Sequence, residues 1–295
     1  MRIFVTGGTG FIGTHVVSEL GREGNTLLSL SSDSKITNKN IENIINGNLS
    51  DINNWRDKVE RFQPELGIHM AWEGIPNYDS KTSIRNLRYG LDLITMLSEL
   101  ECKRVICTGS CWEYEKQKGK ISEDMPLKPL GAFPIAKNSL YELGKEIAKE
   151  SNMQFIWTRL FYVYGHGQKE SSLIPHIINC VRNGKKPDIK TPSVRNDFIH
   201  VEDVARAICS ISHNCYEECV YNIGSGYSTS VQEITEIICN KFNLKYDENK
   251  TNTKNNSIVD FWADISKIKI DCNWEPKISI EEGIFKTIKC AGDLK

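Results

Sequence analysis

The segment that most limits how this chain can fold is a glycine-rich turn near its amino terminus, residues 5–13 with the sequence VTGGTGFIG. It follows the apolar run 1–5, which predicts a buried strand, and it precedes apolar residues spaced as in a helix. In such a turn Gly7 allows the tight reversal, Gly10 lets a pyrophosphate approach the backbone, and Gly13 lets the helix pack against the strand. The order strand, glycine turn, helix therefore predicts a dinucleotide site at the start of the helix.

The length and the charge of the chain exclude several classes of protein. With 295 residues it is long enough for one large α/β domain, or for a domain and a smaller lobe. Its 37 basic and 38 acidic residues give a formal net charge of -1, which argues against nucleic-acid binding. We find no apolar run of about 18 residues. Because the first residues lead directly into a strand, we also expect no signal peptide, no membrane attachment and a cytoplasmic location.

The ten cysteines and the histidines give no metal-binding pattern. The cysteines are scattered without a C-x-x-C pair, so we expect buried free thiols. His166, His176 and His200 lie in unrelated segments without ligand spacing, and we expect His200 to be a hydrogen-bonded structural residue. The sequence therefore predicts no metal site.

Predicted strands and helices alternate along the chain, which is typical of a parallel sheet. After the first helix we expect a strand at 26–30 and another that ends near 47–49. Further strands are expected at 66–72, where the strand runs into a loop, at 104–110, 154–161 and 197–201, and at 221–226, where a strand is followed by a turn. Helices are expected at 85–100, 136–149, 173–181, 202–211 and 231–242, and polar loops at 115–129 and 246–257. The carboxyl ends of parallel strands line the ligand crevice, so Ser110, at the end of 104–110, is placed where chemistry occurs.

The order of several short motifs resembles the extended short-chain dehydrogenase/reductase family, which comprises NAD(P)-dependent nucleotide-sugar epimerases, dehydratases and ketoreductases. These motifs are 6–13 (TGGTGFIG), 68–72 (IHMAW), Asn86, Ser110 with Tyr114, 159–165 (RLFYVYG), 197–204 (DFIHVEDV), 221–226 (YNIGSG), 274–276 (WEP) and 281–284 (EEGI).

The resemblance implies a fold and a division of the chain. The fold is α/β, a Rossmann doubly wound parallel sheet with a smaller carboxyl-terminal substrate lobe. Residues 1–165 would form the dinucleotide-binding domain, with part of 196–230 returning to it, and 166–295 would mostly bind a nucleotide sugar. A homodimer through the two helices predicted at 85–100 and 136–149 is also expected.

The residue after the second predicted strand bears on the choice of dinucleotide. It is Ser31, where an acidic residue would bind the ribose hydroxyls and repel a 2′-phosphate. Ser31, Ser32 and Ser34 with Lys35 tolerate that phosphate, although Asp33 is a late acidic candidate and the segment can also be read as a polar turn. We therefore expect NADP, with NAD as the alternative. By resemblance the cofactor residues are Gly7, Gly10, Phe11, Ile12, Gly13, Ser31, Ser32, Asn48, Leu49, Met70, Ala71, Trp72, Asn86, Lys137 and Phe161.

The family's chemistry uses a Ser or Thr, a Tyr, and a Lys four residues after the Tyr, so that both lie on one helix face. Tyr141 and Lys145 have the right identities, but they lie too close to the strand predicted at 154–161. Phe133 and Lys137 lie at the expected spacing. The catalytic positions are therefore Ser110, Phe133 and Lys137.

Phe133 departs from the family pattern because phenylalanine has no hydroxyl with which to relay a proton. Two explanations are open. Either the chain is an engineered Tyr→Phe variant that traps a ligand, which the otherwise intact motif favours, or the natural protein uses another acid. For the second case Tyr141, Glu113 and Tyr114 are the substitutes to test.

The residues after Ser110 discriminate among reactions of the family. Dehydratases resemble one another in having Asp-Glu there, and this chain has Cys111-Trp112. GDP-fucose synthases have a cysteine and a histidine where this chain has Trp112 and Ser172. Hydride transfer at C4 remains, by a 4-ketoreductase of an NDP-4-keto-6-deoxyhexose or by a 4-epimerase.

The alternative from another class is a catalytically impaired sensor or scaffold that binds the dinucleotide. Arg195 can bind the nucleotide diphosphate through its planar fork or be a surface arginine, and the sequence does not separate the two. The expected substrate residues are Ser110, Trp112, Tyr162, Ser172, Leu173 and Arg195.

Overall fold

A seven-stranded sheet forms the centre of the computed structural model, which describes residues 1–32, 43–114, 118–215, 219–244 and 260–290. Its strands are β1 (Arg2–Thr6), β2 (Thr26–Ser31), β3 (Asn43–Asn46), β4 (Leu66–His69), β5 (Arg104–Ser110), β7 (Gln154–Leu160) and β11 (Cys219–Ile223). Their spatial order is β11-β7-β5-β4-β1-β2-β3, and all neighbours are parallel. The order reverses between β1 and β4, which opens a crevice at their carboxyl ends. The predicted doubly wound α/β fold is confirmed.

Helices cover both faces of this sheet. They are α1 (Phe11–Arg22), α2 (Arg56–Phe62), α3 (Ser80–Glu99), α4 (Ala132–Glu150), α5 (Leu173–Arg182), α6 (Val201–Asn214), α7 (Val231–Lys241), α8 (Ser266–Cys272) and α9 (Ile280–Cys290). On one face α1 packs against α6, and on the other α3 packs against α4. A hydrophobic core lies on each face of the sheet, and alternate residues of β1 point into the two cores. Ile3 and Val5 belong to the core beneath α1 and α6, and Phe4 belongs to the core beneath α3 and α4.

Two helices begin earlier than the apolar periodicity predicts. The side chain of Asp79 caps α3 by accepting a hydrogen bond from the N–H of Thr82 at 2.7 Å, so this helix includes five residues before 85. α4 follows Gly131, whose φ is +95°, and has Pro134 in its first turn, where the missing N–H costs nothing. As a result Phe133 lies in the first turn of α4 and not in a loop before it.

The remaining strands build the smaller lobe. They are β6 (Gly119–Ile121), β8 (Tyr162–Tyr164), β9 (Arg195–Asn196), β10 (Phe198–His200), β12 (Thr229–Ser230) and β13 (Phe261–Ala263). β8 pairs with β10, β9 with β12, and β6 with β13, while α5, α7 and α9 pack together beside them. The expected loop at 115–129 therefore contributes a strand to the lobe. Two elements that follow the first strands of the lobe belong with the main sheet instead, since α6 packs on α1 and β11 pairs with β7.

A buried carboxylate fixes the junction between the lobe and the main sheet. Asp197 is fully buried and accepts hydrogen bonds from the backbone N–H groups of Ser225, Gly226 and Ala263 and from the Ser225 hydroxyl. A side chain at Gly224 would collide with this carboxylate, because its Cβ would lie 2.4 Å from Asp197 Oδ2. Asp197 thus binds the turn after β11 to β13.

Three further expectations can be compared with the described residues. All ten cysteines are free thiols, most of them buried. His200 is buried, and its Nδ1 accepts a hydrogen bond from the N–H of Glu202, which confirms a structural role. Within the described ranges, no three His, Cys, Asp or Glu side chains are grouped closely enough to hold a metal ion, and no helix is long and apolar enough to cross a membrane. The loop expected at 246–257 lies outside these ranges.

Candidate active site

The glycine turn leaves no room for side chains. Gly7 has a φ of +77°, and a Cβ there would lie 2.7 Å from the backbone nitrogen of Ala71. A Cβ at Gly13 would lie only 1.9 Å from the Gly7 carbonyl oxygen. Gly10 is the N-cap residue of α1 and has no side chain to cover the first N–H groups of the helix. The turn therefore has the close backbone approach and the open N–H groups that fit a dinucleotide pyrophosphate.

The end of β2 presents hydroxyl groups. Ser31 is buried, and its Oγ lies 3.3 Å from the Thr9 hydroxyl of the glycine turn. Ser32 follows and is exposed. Residues 33–35, which include the late acidic candidate and the lysine, lie outside the described ranges. The described residues at the end of β2 do not decide between NADP and NAD. The expected preference for NADP therefore stays a prediction.

Other residues expected at the cofactor hold backbone turns in place. The Asn48 side chain accepts a hydrogen bond from the N–H of Ser50 at 3.0 Å. Asn86 is buried, accepts from the N–H of Glu73 at 2.7 Å and donates to its carbonyl at 3.1 Å, which clamps the loop after β4. The others occupy the first turn of α1 (Phe11, Ile12), the core beneath β3 (Leu49), the end of β4 (Met70, Ala71, Trp72) and the lobe core (Phe161).

Lys137 and Ser110 converge on the carboxyl end of β5. The Lys137 ammonium is buried, donates a hydrogen bond to the Thr108 carbonyl at 2.6 Å and lies 4.2 Å from the centre of the Trp72 ring. Burial lowers the pKa of Lys137 to about 8. Ser110 ends the strand, and its Oγ accepts a hydrogen bond from the N–H of Trp112 at 3.2 Å. Two of the three predicted catalytic positions therefore lie together.

Phe133, the third position, lies within a cluster of rings that we call the aromatic wall, made of Trp72, Tyr78, Trp112 and Phe133. The ring centre of Phe133 is 5.2 Å from Trp72, 5.0 Å from Tyr78 and 5.7 Å from Trp112, and Tyr78 and Trp112 are 5.1 Å apart. Phe133 is only 8% exposed, whereas Tyr78 is 36% and Trp112 39% exposed. Sequence reasoning missed Tyr78, although a long loop after the carboxyl end of a sheet strand is where ligand contacts are expected.

Two of the proposed substitutes for the missing hydroxyl have other partners. Glu113 is fully buried and accepts hydrogen bonds from Arg159 Nε at 2.9 Å and Trp157 Nε1 at 3.0 Å. Burial raises the pKa of Glu113, against the opposing charge of Arg159. The Tyr114 hydroxyl donates to Asn222 Oδ1 at 2.8 Å and accepts from Arg159 Nη1 at 3.0 Å. This network fixes the turn after β5 to β7.

The third substitute, Tyr141, lies two helical turns beyond Phe133 on α4. Its ring packs 6.2 Å from Phe155 and 5.6 Å from Trp157, in the core between α4 and β7. Tyr141 is therefore part of the packing of α4 on the sheet and does not belong to the aromatic wall.

A cavity of about 190 Å³ opens in the lobe next to the wall. Within the described residues, two buried amide oxygens, Asn196 Oδ1 and Gln168 Oε1, line it without a hydrogen-bond partner. The indole N–H of Trp112 donates to the Tyr162 hydroxyl at 3.2 Å, which joins the wall to this cavity. The lining is Tyr162, Val163, Tyr164, Gln168, Leu173, Ile174, Asn196 and Phe198, and Ser172 is the N-cap residue of α5 beside it.

Arg195 makes its contacts within the lobe. Its Nη2 donates to the Ser228 carbonyl at 2.9 Å and its Nη1 to Glu233 Oε1 at 3.1 Å. These bonds hold β9 to α7, and the neighbouring residue Asn196 faces the cavity because side chains alternate along a strand. Strand alternation is the signal that would have identified Asn196 from the sequence. A role of Arg195 at the diphosphate stays a prediction.

A family model matches residues 3–224, which include all of the main sheet except Arg2, the first residue of β1. The chain belongs to the NAD dependent epimerase/dehydratase family. This confirms the resemblance on which the expected fold and site residues were based.

Relatives within this family act on sugars joined to nucleotides. The chain is 27% identical to dTDP-4-dehydro-6-deoxyglucose reductase of Escherichia coli over 315 aligned positions, which cover 97% of this chain and 96% of the relative. It is also 27% identical to CDP-abequose synthase of Salmonella muenchen over 302 positions, 97% of each protein. The crystal structure of a Thermotoga maritima UDP-glucose 4-epimerase with UDP-glucose has the same fold, with a TM-score of 0.88, 22% identity and 99% of each chain covered.

Proposed function

We propose that this chain is an NAD(P)-dependent nucleotide-sugar oxidoreductase that reduces the 4-keto group of an NDP-4-keto-6-deoxyhexose, in the biosynthesis of a deoxysugar for surface polysaccharide. The observation that carries this proposal is the position of Lys137 and Ser110 at the end of β5, between the glycine turn and the lobe cavity. A reduced nicotinamide bound along the glycine turn supplies the hydride for such a reduction.

The side chains of the site have separate tasks in this proposal. The Lys137 ammonium holds the nicotinamide ribose, and its positive charge favours negative charge that develops beside it during the reaction. The Ser110 hydroxyl hydrogen-bonds the keto oxygen of the sugar. In the lobe, the amides of Asn196 and Gln168 gain hydrogen bonds to the nucleotide, which relieves the cost of burying their oxygens without partners. The aromatic wall packs against the apolar face of the 6-deoxyhexose.

The residues after Ser110 favour reduction over elimination of water. Burial raises the pKa of the Cys111 thiol, so this group is not available as an acid or a base near neutral pH. The carboxylate of Glu113 is paired with Arg159 in the interior. The dTDP-4-dehydro-6-deoxyglucose reductase among the relatives, matched over nearly its whole length, supports the same reaction class.

We also propose NADP as the preferred dinucleotide, supported by the hydroxyls of Thr9, Ser31 and Ser32 at the end of β2. A cytoplasmic homodimer is proposed as well. The free thiols fit a reducing compartment, and Ile84 of α3 and Leu143 of α4 are 65% and 50% exposed, as a contact through these helices would require.

The experiment is to mix the purified protein with an NDP-4-keto-6-deoxyhexose and NADPH or NADH, and to follow the absorbance of the reduced cofactor while the sugar products are identified. Consumption of one cofactor per sugar reduced supports the proposal. Interconversion of NDP-sugars at C4 without net cofactor consumption supports the 4-epimerase instead. If neither the chain nor its Phe133→Tyr variant turns over, the protein is a dinucleotide-binding sensor or scaffold and the proposal is wrong.

A further inference from the structure

The structure raises one question that the proposed function leaves open, which is the source of the proton for the new hydroxyl. Reduction of a ketone needs a hydride at carbon and a proton at oxygen, and Phe133 has no proton to give. Ser110 cannot replace it, because an aliphatic hydroxyl is too weak an acid near neutral pH. The Lys137 ammonium is directed at the Thr108 carbonyl.

Tyr78 brings a phenol ring next to the position where a hydroxyl is missing, with its ring centre 5.0 Å from that of Phe133. Among the described residues, the rings in contact with Phe133 belong to Trp72, Tyr78 and Trp112, and of these only Tyr78 has an ionisable group. At 36% exposure the Tyr78 side chain is accessible, whereas Phe133 is almost covered. Within the described part of the chain, the Tyr78 hydroxyl has no hydrogen-bond partner, so it is free to bond a ligand.

The loop that carries Tyr78 is held from both sides. Asn86 clamps the backbone of Glu73 at the start of the loop, through both its amide oxygen and its amide nitrogen. In the middle of the loop, the Lys169 ammonium donates a hydrogen bond to the Ile75 carbonyl from across the cleft. The loop then ends at the capped start of α3. Tyr78 is therefore placed by fixed backbone on each side, as a proton donor must be.

Tyr162 is the other tyrosine near the wall, and its surroundings suit it less well. Its hydroxyl already accepts a hydrogen bond from Trp112, and its ring packs on Phe198 and Phe261 in the lobe. Burial raises the pKa of Tyr162 far above its ordinary range. Burial also raises the pKa of Tyr78, but Tyr78 is only partly covered. Both phenols are protonated at neutral pH, and Tyr78, which is less buried, is the stronger acid of the two.

We propose that Tyr78 is the general acid of this active site and replaces the hydroxyl that Phe133 lacks. This inference rests on the proposed function. In the step, the sugar C4 accepts the hydride of the reduced nicotinamide dinucleotide, and the carbonyl π bond becomes a lone pair on O4. That oxygen takes the proton of the Tyr78 hydroxyl. The resulting tyrosinate regains a proton from water, which its exposure allows.

The test moves the hydroxyl between the two rings. For Tyr78→Phe we expect kcat for the 4-keto sugar to fall about 100-fold, the lower end of what a positioned acid contributes. The double variant Tyr78→Phe/Phe133→Tyr should recover most of this loss, because the hydroxyl returns on the adjacent ring. Tyr227→Phe is the matched control, since Tyr227 is 70% exposed, does not belong to the aromatic wall and should leave kcat unchanged.

A binding measurement gives a readout that does not depend on turnover. Titration of cofactor-free protein with the NDP-6-deoxyhexose product should show about fivefold weaker binding in Tyr78→Phe, which corresponds to one lost hydrogen bond. Binding of the nucleoside diphosphate alone should not change, because it does not reach the wall.

The outcomes separate this inference from the proposed function. If the unmodified chain reduces the sugar and Tyr78→Phe is as active, or if Tyr162→Phe alone causes the loss, Tyr78 is not the acid although the chain is a reductase. If the chain is inactive and Phe133→Tyr alone creates activity, no residue replaces the missing hydroxyl and the inference is wrong. If no variant turns over, the reductase proposal fails and the inference fails with it.

Discussion

The glycine turn and the aromatic wall face the same crevice but are built in different ways. The turn is one continuous segment, and its function depends on the absence of side chains at Gly7 and Gly13. The wall is built from three segments that meet only in the folded chain, namely the loop after β4, the turn after β5 and the start of α4, and its proposed role depends on which side chains are present. Backbone requirements leave a local mark in the sequence, whereas a surface built by tertiary contacts leaves none. The two regions should therefore respond differently to substitution.

The largest expected effect concerns His69, which connects the regions at the end of β4. Its Nδ1 bonds the Thr6 hydroxyl at 2.7 Å, and burial, with the charge of Lys137, lowers the pKa of His69 to about 3. The folded protein then keeps His69 neutral while the unfolded chain takes up a proton below pH 6.5. The free energy of unfolding should fall as the pH drops from 6.5 towards 3, by about 5 kcal/mol in total. Urea unfolding across this range measures it.

The matched variant for this prediction is His69→Asn, which retains a polar group near the Nδ1 position but does not titrate. Its unfolding free energy should depend less steeply on pH between 6.5 and 3. An unchanged slope would show that other groups, such as His200, whose pKa burial lowers to about 4, carry the acid sensitivity.

Next in size is Gly13→Ala, which affects only the glycine turn. The added Cβ would collide with the Gly7 carbonyl, and we expect a loss of about 3 kcal/mol in cofactor binding, roughly 100-fold in affinity. Binding of the nucleoside diphosphate should not change. Gly24→Ala is the control, because its Cβ meets nothing within 4 Å and its positive φ costs only stability. Equal losses of cofactor affinity in both variants would contradict the assignment of the turn.

Lys137→Met tests the buried lysine that lies over Trp72 of the wall and whose charge acts on His69. The pKa of Lys137 is lowered from 10.5 to about 8, so its charged form costs folding free energy at every pH below 8, and this cost disappears between pH 8 and 10.5. The variant has no charge to bury, but it leaves the Thr108 carbonyl without the hydrogen bond from Lys137. The net result should be a free energy of unfolding about 2 kcal/mol higher at pH 7.

The gain in stability from Lys137→Met should shrink as the pH rises towards 10.5, while cofactor binding is weakened at all pH values. Unfolding by urea at several pH values, with cofactor titration beside it, checks both parts. A less stable variant at pH 7 would show that Lys137 stabilises the fold and is not held there at a cost for function.

The smallest expected effect is confined to the wall. Trp112→Ala removes a ring that contacts Tyr78 and Phe133, and we expect NDP-sugar binding to weaken by about 1 kcal/mol with cofactor affinity unchanged. Trp112→Phe, which keeps a ring and loses only the bond to the Tyr162 hydroxyl, should lose less. If the affinity for the cofactor falls as much as the affinity for the NDP-sugar, the wall does not bind the sugar independently of the cofactor site at the glycine turn.

The sequence predicted the parts of the molecule that depend on local pattern. The strands around β5 and the glycine turn follow from apolar runs and from glycine spacing, and the positions of Ser110 and Lys137 follow from the family resemblance. The starts of α3 and α4 were missed because capping by Asp79 and Gly131 extends them beyond their apolar stripes.

Other features depend on contacts between distant segments. The strand β6 was read as a loop because its stability comes from pairing with β13. Tyr78 was overlooked for a similar reason, since no short-range pattern shows which residues will meet Phe133. Asn196 differs, because the alternation of side chains along its strand could have identified it. Arg195, which has the side chain expected for an anion, makes its described contacts with its own lobe.

The most direct test of the proposed reductase uses NADPH carrying deuterium on the transferred position of the nicotinamide. We predict that the unmodified chain consumes one NADPH per NDP-4-keto-6-deoxyhexose and places one deuterium on C4 of the sugar, as seen by mass spectrometry and NMR. Consumption of no cofactor and recovery of unlabelled sugar, with both the unmodified chain and its Phe133→Tyr variant, would contradict a hydride transfer to C4 in this site.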